Sequence, residues 1–288
     1  MRCCVLFCVM RYYIVDAFSN QPFGGNPAGV VLLDGAEFPD EGLMLRVAAE
    51  LRYSETAFVR RLSAEEYHVR YFTPRAEVEL CGHATIASFS LLHSLGQAEG
   101  SCRCRTLAGD LRIEVGDKVM MQMATPRIVK TVGDVDEIYS AVGLAGYRPA
   151  LPVQVAYSGL ADIMLPVPDM EALNGLHPDM EAVSLVTAKH EAVSIHPFAL
   201  TDDGYTAHVR DFAPRYGVPE ESATGTANAA LTHYLVENDI IPRQGDFAFL
   251  QGEAMGRPSV VATRLEADGT LYVGGTAFTL AKGDLLLS

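Results

Sequence analysis

Glu55 stands between two hydroxyl residues and is followed at once by apolar ones, in the order Tyr53-Ser54-Glu55-Thr56-Ala57-Phe58-Val59. The apolar run reads as a buried strand. A carboxylate at its head is expected to be dehydrated and to titrate nearer neutrality than an ordinary glutamate, which suits a group that takes a proton and gives it back. The competing reading is a strand-edge glutamate in water, the commoner situation for such a residue taken alone.

A second feature is a turn written twice. From Tyr71 the chain reads YFTPRAEVELCGHATIASF, and from Val209 it reads VRDFAPRYGVPEESATGTANAAL. Val69-Arg70 matches Val209-Arg210, Phe72 matches Phe212, Pro74-Arg75 matches Pro214-Arg215, and Val78 matches Val218. After a short insertion, Cys81-Gly82-His83-Ala84 lines up with Thr224-Gly225-Thr226-Ala227. The offset is about half the chain, the mark of a duplication rather than of a solenoid. In each copy a strand ends in F-x-P, a loop carrying glutamate follows, and a helix opens at glycine. The first turn of such a helix presents backbone N–H groups and the positive end of its dipole. Two of these starts facing each other would clamp a carboxylate through the N–H groups around Gly82-His83 and Gly225-Thr226. The alternative is that both simply begin buried helices.

The elements that must position these groups are legible around them. Ala84, Ala87, Leu91, Leu92 and Leu95 recur at helical spacing, as do Ala227, Ala230, Leu231, Tyr234 and Leu235. The remaining faces carry Ile86, Phe89, Ala229 and Val236, so each helix is apolar nearly all round and is expected to be enclosed. Gly96 is placed to end the first. A further helix is expected from about Asp40 to Leu51. LRIEVGDKVMMQM and RLEADGTLYVGG read as β-hairpins. Strand patterns dominate, which gives an α+β class: two pseudo-symmetric domains, each a barrel-like mixed β-sheet wrapped around a central α-helix. ATPRIVK, around Pro126, reads as the crossover between halves.

Bulk properties limit the function classes. The 288 residues, 49% of them hydrophobic, suffice for two medium domains, and a formal net charge of -14 argues against nucleic-acid or anionic-membrane partners. No apolar run reaches the length of a membrane span. The opening MRCCVLFCV lacks the parts of a signal peptide, so residues 1–9 are read as an N-terminal extension. The six cysteines show no C-x-x-C spacing, and the eight histidines form no cluster along the chain, so no metal is expected. A reduced, cytoplasmic setting is the default. GGNPAG, Gly24 to Gly29, is neither G-x-G-x-x-G nor a P-loop, KHEAVSIH is not H-E-x-x-H, and G-x-S-x-G does not occur.

VDAFSNQPFGGNPAGVVLL, SETAFV, YFTP followed by ELCGHAT, and FAP followed by GVPEESATGTA together resemble the PhzF-type phenazine-biosynthesis proteins, which have the diaminopimelate-epimerase-like fold. The resemblance runs from about Met10 to the C-terminus. It implies a domain of residues 10–126, to which the last strand, about 277–288, returns, and a second domain of residues 127–276, with the active site in the cleft between them. It also implies a homodimer that needs neither cofactor nor metal and acts on a small-molecule carboxylate substrate. One family member isomerises trans-2,3-dihydro-3-hydroxyanthranilate.

The family's catalytic glutamate falls on Glu55, the histidine of its G-H-A-T motif on His83, and its E-D-P-A-T-G-S motif on Glu220 to Thr226. Here Glu221 stands for the aspartate, Ser222 for the proline and Thr226 for the serine. The implied catalytic set is Glu55, His83 and Glu221. Gly82, Gly225 and Thr226 would bind substrate, and Phe18 and Asn26 would line the mouth of the cleft. The function read from this is a cofactor-independent isomerase that moves a proton by means of Glu55. Epimerase relatives use a thiol from each half. Cys81 occupies one such place, but its duplicate is Thr224, whose hydroxyl is too weak an acid, so Cys81 reads as a small buried hydrophobe. An amino-acid-type racemase or epimerase using Cys81 with another partner, and a non-catalytic small-molecule binder, remain the alternatives.

Overall fold

The computed structural model describes residues 8–35 and 37–287. It divides into two compact units, Met1–Met121 with Gly275–Ser288, and Gln122–Gly274. The division falls a few residues from the expected 126 and 276.

In the first unit the elements are β1 (Cys8–Ala17), β2 (Asn26–Leu33), α1 (Glu41–Leu51), β3 (Thr56–Arg61), β4 (Glu66–Phe72), β5 (Glu77–Val78), α2 (Gly82–Ser94), β6 (Gly100–Thr106), β7 (Gly109–Val115) and β8 (Val119–Gln122). In the second they are β9 (Arg127–Thr131), α3 (Asp136–Ala141), β10 (Gln154–Tyr157), β11 (Ala161–Pro166), α4 (Met170–Asn174), α5 (Met180–His190), β12 (Ser194–Leu200), β13 (Ala207–Val209), α6 (Gly225–Glu237), β14 (Gly245–Gln251), β15 (Ser259–Leu265) and β16 (Leu271–Gly275). The last strand, β17 (Ala277–Leu287), belongs to the first unit and pairs antiparallel with β1 from Cys8↔Leu287 to Ala17↔Ala277. Cys8 and Val9 therefore lie in the backbone of β1, which corrects the expected extension 1–9; its residues 1–7 lie outside the described residues.

Strand pairing makes the duplication visible beyond the sequence. In the first unit β1–β2 is antiparallel, β2–β3 parallel, β3–β4 antiparallel, β4–β6 parallel, and β6–β7 and β7–β8 antiparallel. In the second, β10–β11, β11–β12, β12–β13, β13–β14, β14–β15 and β15–β16 repeat that succession of directions. Each parallel step needs a crossover, and the crossovers carry the helices. α2 fills the second crossover of its unit, and α6 fills the same place in the other.

Both helices are enclosed. α2 packs against β1, β2, β3, β7 and β17, and α6 against β9, β10, β11 and β15. Strands from well-separated places in the pairing order touch one helix, so each sheet curls around it. Ala84, Ile86, Ala87 and Phe89 have no exposed surface, nor have Ala227, Ala230, Leu231, Tyr234 and Leu235. Hydroxyls that enter these cores bond back to the preceding turn, Thr85 Oγ1 to Cys81 O at 2.7 Å and Thr232 Oγ1 to Asn228 O at 2.9 Å. Leu95 departs from the expected stripe; it is the C-cap, 42% exposed, and Gly96 follows with φ +68°.

The sequence reading missed α3, α4 and α5. A signal was present: Pro-Asp-Met-Glu-Ala occurs at residues 168–172 and again at 178–182. Each aspartate is an N-cap, Asp169 accepting from Ala172 N at 2.8 Å and Asp179 from Ala182 N at 3.1 Å. α3 and α4 are too short for periodicity to show. Among the described residues, no helix is long and apolar enough to cross a membrane.

The second unit also buries a polar cluster. Ser194 Oγ lies 2.9 Å from Asp162 Oδ1 and 2.7 Å from Asp211 Oδ1, and His196 Nδ1 lies 2.9 Å from the same Asp211 oxygen. All four residues are at most 1% exposed. An Nδ1–H on His196 can serve Asp211 and leave the single Ser194 hydroxyl proton to Asp162, but the core isolates both carboxyls from water and the Asp211 charge beside Asp162 favours a proton on it. Burial, with Asp211 adjacent, raises Asp162 well above the ordinary carboxylate range. The folded chain holds this proton where the unfolded chain has released it. The stability it contributes is thus full below the ordinary carboxylate pKa and declines as pH rises towards and beyond neutrality. Chemical denaturation across that range is expected to show stability falling by up to about 1.4 kcal/mol per pH unit, and Asp162→Asn, which donates to Ser194 without titrating, to flatten the slope.

Candidate active site

Glu55 immediately precedes β3. Its carbonyl accepts the N–H of Gly29 at 3.1 Å. Gly29 pairs with Thr56, and a Cβ on it would lie 2.7 Å from Thr56 Oγ1. The last glycine of GGNPAG is therefore structural, because it lets β2 lie close enough to fix the backbone of Glu55.

His83 is the second residue of α2. Its ring is 6% exposed, with Nε2 3.3 Å from Glu55 Oε2 and 3.4 Å from Ser54 Oγ. Cys81 Sγ lies nearly equidistant from the two ring nitrogens, 3.5 Å from Nδ1 and 3.8 Å from Nε2. Burial pushes the imidazole below the usual histidine range, and the Glu55 charge pulls the other way. In the neutral ring one nitrogen donates and the other accepts. An Nε2–H is placed to donate to Glu55, while the Cys81 sulfur packs against the ring and lies off the Nδ1 lone pair. The dehydrated acid expected at Glu55 is corrected in part: its side chain keeps 21% of its exposure, because Glu55 precedes the buried part of β3.

The expectation of no metal rested on spacing along the chain. The fold instead gathers one ligand atom each from Glu55, Cys81 and His83 within 4.8 Å of one another.

In the second unit Glu221 is held by backbone and side chain. Its N–H donates to Asp211 O at 3.0 Å, and Thr224 Oγ1 donates to Glu221 Oε2 at 2.8 Å. Gln251, on β14 and without exposed surface, ties this loop to the start of α6. Its Nε2 donates to Glu221 O at 2.8 Å and Thr224 Oγ1 at 3.0 Å, and its Oε1 accepts from Thr224 N at 3.0 Å and Asn228 Nδ2 at 2.8 Å. The N-cap N–H of α6, that of Thr224, is thereby engaged by Gln251. Nothing adjacent in sequence marked this residue. The N-caps Cys81 and Thr224 are both extended and make no side-chain cap bond. Gly225 is buried, and Gly82 and Thr226 are half-buried.

The duplicated Val-Arg was matched in sequence but not recognised as a clamp. Arg70 Nε and a terminal nitrogen donate to the two oxygens of Glu77, each at 2.6 Å. Arg210 does the same to Glu220, each at 2.8 Å, and also donates to Leu173 O and Leu176 O. Each guanidinium stands over the duplicated phenylalanine, 5.3 Å from Phe72 and 4.9 Å from Phe212. Planar forks of this kind fix orientation as well as charge. Both hold the loop that leads to a central helix, although the glutamates are not at matching positions.

Phe18 is corrected. It has no exposed surface and a left-handed φ of +65°, with its N–H bonded to Thr276 O at 2.8 Å, so it serves packing and does not line a mouth. Asn26 opens β2 and is 6% exposed.

A sequence profile described as phenazine biosynthesis-like protein, of the PhzC-PhzF group, matches residues 15–283. An uncharacterized isomerase of Deinococcus radiodurans is 36% identical, with 95% of this chain and 94% of the relative aligned. The trans-2,3-dihydro-3-hydroxyanthranilate isomerase of Pseudomonas chlororaphis is 30% identical over 96% of this chain and 99% of its own. The crystal structure of the Bacillus anthracis PhzF-family protein superposes with a TM-score of 0.87 at 26% identity, covering 97% of this chain and 99% of that one. The fold and these matches define an isomerase-type α+β architecture. The chain belongs to the PhzF family of phenazine biosynthesis-like proteins.

Two substitutions probe the supports. Gly29→Ala should displace the Glu55 backbone and cost about 1–3 kcal/mol, measured by urea denaturation. Gln251→Leu should cost about 2–4 kcal/mol by stranding several buried partners at once, and should raise amide exchange at the start of α6 more than at α2.

Proposed function

We propose that the protein is an isomerase that moves a proton on a small carboxylate-bearing metabolite, without a cofactor, with Glu55 as the group that removes the proton and returns it elsewhere on the same face. The observation that carries this is the pairing of Glu55 Oε2 with the buried, neutral-leaning His83 at 3.3 Å. An Arg or Lys partner would hold the carboxylate ionised throughout. A neutral imidazole orients it and leaves it free to exchange a proton. His83 then positions Glu55 and accepts or supplies a second proton. N–H groups at the head of α2 favour negative charge developing on the substrate. Glu221, Gly225 and Thr226 are assigned to the same substrate because the turn that bears them is the duplicate of the one bearing Gly82 and His83.

The names of the relatives support isomerase chemistry. The longer Glu221, where the family has aspartate, argues for a substrate other than the phenazine precursor. The proposal carries with it a homodimer in the cytoplasm, with no nucleic-acid or membrane partner.

One observation favours the epimerase reading: Cys81 Sγ packs against the His83 ring, 3.5 Å from Nδ1 and 3.8 Å from Nε2, so a thiol stands beside the proposed proton-transfer pair.

Small carboxylates, trans-2,3-dihydro-3-hydroxyanthranilate among them, can be incubated with the protein in deuterated buffer and read by mass spectrometry. Glu55→Gln is expected to lower the rate of isomerisation or exchange by about 10²–10⁴-fold with its fold intact. Unchanged turnover in that variant would remove Glu55 from proton transfer. Cys81→Ala that abolishes exchange while Glu55→Gln does not would favour the epimerase.

A further inference from the structure

Three donors of different chemistry meet where the proposed proton transfer takes place. Cys81 and His83 are fixed on the first turn of α2, and Glu55 is fixed through Gly29. Their ligand atoms lie within 4.8 Å of one another. With zinc-type bond lengths of about 2.0–2.3 Å, the edges of a tetrahedron are about 3.3 Å between nitrogen and oxygen and about 3.6 Å where sulfur is one of the pair. His83 Nε2 stands 3.3 Å from Glu55 Oε2 and 3.8 Å from Cys81 Sγ. The edge between Nε2 and Oε2 is thus at coordination spacing already; Cys81 Sγ, which also stands 3.5 Å from Nδ1, must swing about its Cα–Cβ bond towards the Nε2 lone pair, and the Glu55 carboxyl must turn, to close the other two.

We propose that Glu55, Cys81 and His83 bind one thiophilic divalent cation of the zinc class, and that the bound cation shuts off the proton-transfer centre. The donor set selects the class: one sulfur, one imidazole nitrogen and one carboxylate oxygen suit zinc and its neighbours, whereas magnesium and calcium need shells of oxygen. On binding, Cys81 releases its thiol proton to solvent as the metal–sulfur bond forms. The thiolate and the Glu55 carboxylate then balance the charge of the cation, which outweighs the unfavourable positive end of the α2 dipole. Glu55 keeps 21% exposure, so the fourth position opens to water. A carboxylate bound to the cation no longer accepts a proton. The shut-off, unlike the binding, rests on the reading of Glu55 as the base.

The test uses cobalt(II) on the full, chelator-treated chain carrying Cys3→Ser, Cys4→Ser and Cys8→Ser, so that those thiols do not report. One equivalent should produce a thiolate-to-cobalt charge-transfer band that zinc displaces. Cys81→Ser should abolish the band. Glu55→Gln, which retains the thiol, should weaken binding by about tenfold or more. Absence of the band, or its persistence in Cys81→Ser, overturns the site, and undiminished binding in Glu55→Gln removes the carboxylate from it. Saturating zinc should stop solvent-deuterium exchange into the substrate, and chelator should restore it. Exchange that continues at saturation overturns the shut-off. Turnover retained by Glu55→Gln in the absence of metal overturns the proposed base instead, and the cobalt measurement stands apart from it.

Discussion

A helix buried on every side cannot offer side chains laterally to a small molecule; only its ends reach the boundary of the sheet that surrounds it. α2 and α6 are helices of this kind. Their chemistry is therefore confined to the residues just before and within the first helical turn, and the loop leading in must be held in one conformation. In the first unit that loop brings Cys81 and His83 to Glu55. In the second it brings Thr224 and Glu221 to Gln251.

The supports are of two kinds. Arginine forks with a stacked phenylalanine recur in both units and restrain the loops from the strand side. Gln251 occurs on one side only. With two N–H donors and a carbonyl oxygen that accepts twice, it satisfies four partner atoms while having no exposed surface itself. The helix starts have diverged accordingly: that of α2 retains a histidine against a partly exposed carboxylate, and that of α6 is cross-tied.

The duplication also shows what is kept when sequence drifts. The succession of parallel and antiparallel pairings is the same in both units, because each crossover helix must return the chain to a particular neighbouring strand. The first crossover differs, with α1 in one unit and α4 followed by α5 in the other. The second, which encloses the central helix, is the same.

Local pattern was enough for the class, the enclosed helices, the hairpins and the candidacy of Glu55, since apolar spacing, glycine starts and turn residues act over a few positions along the chain. The Glu55 reading needed only the residues beside it. Contacts across long sequence separations were not legible. Gly29 against Glu55, Gln251 beneath Glu221, and the Asp162, Ser194, His196 and Asp211 cluster join residues whose types are individually ordinary. The burial of Phe18 and the meeting of Glu55, Cys81 and His83 belong with them. Which polar atoms share a small volume depends on strand register and on the path of the chain around each helix, and pattern along the sequence carries no measure of either.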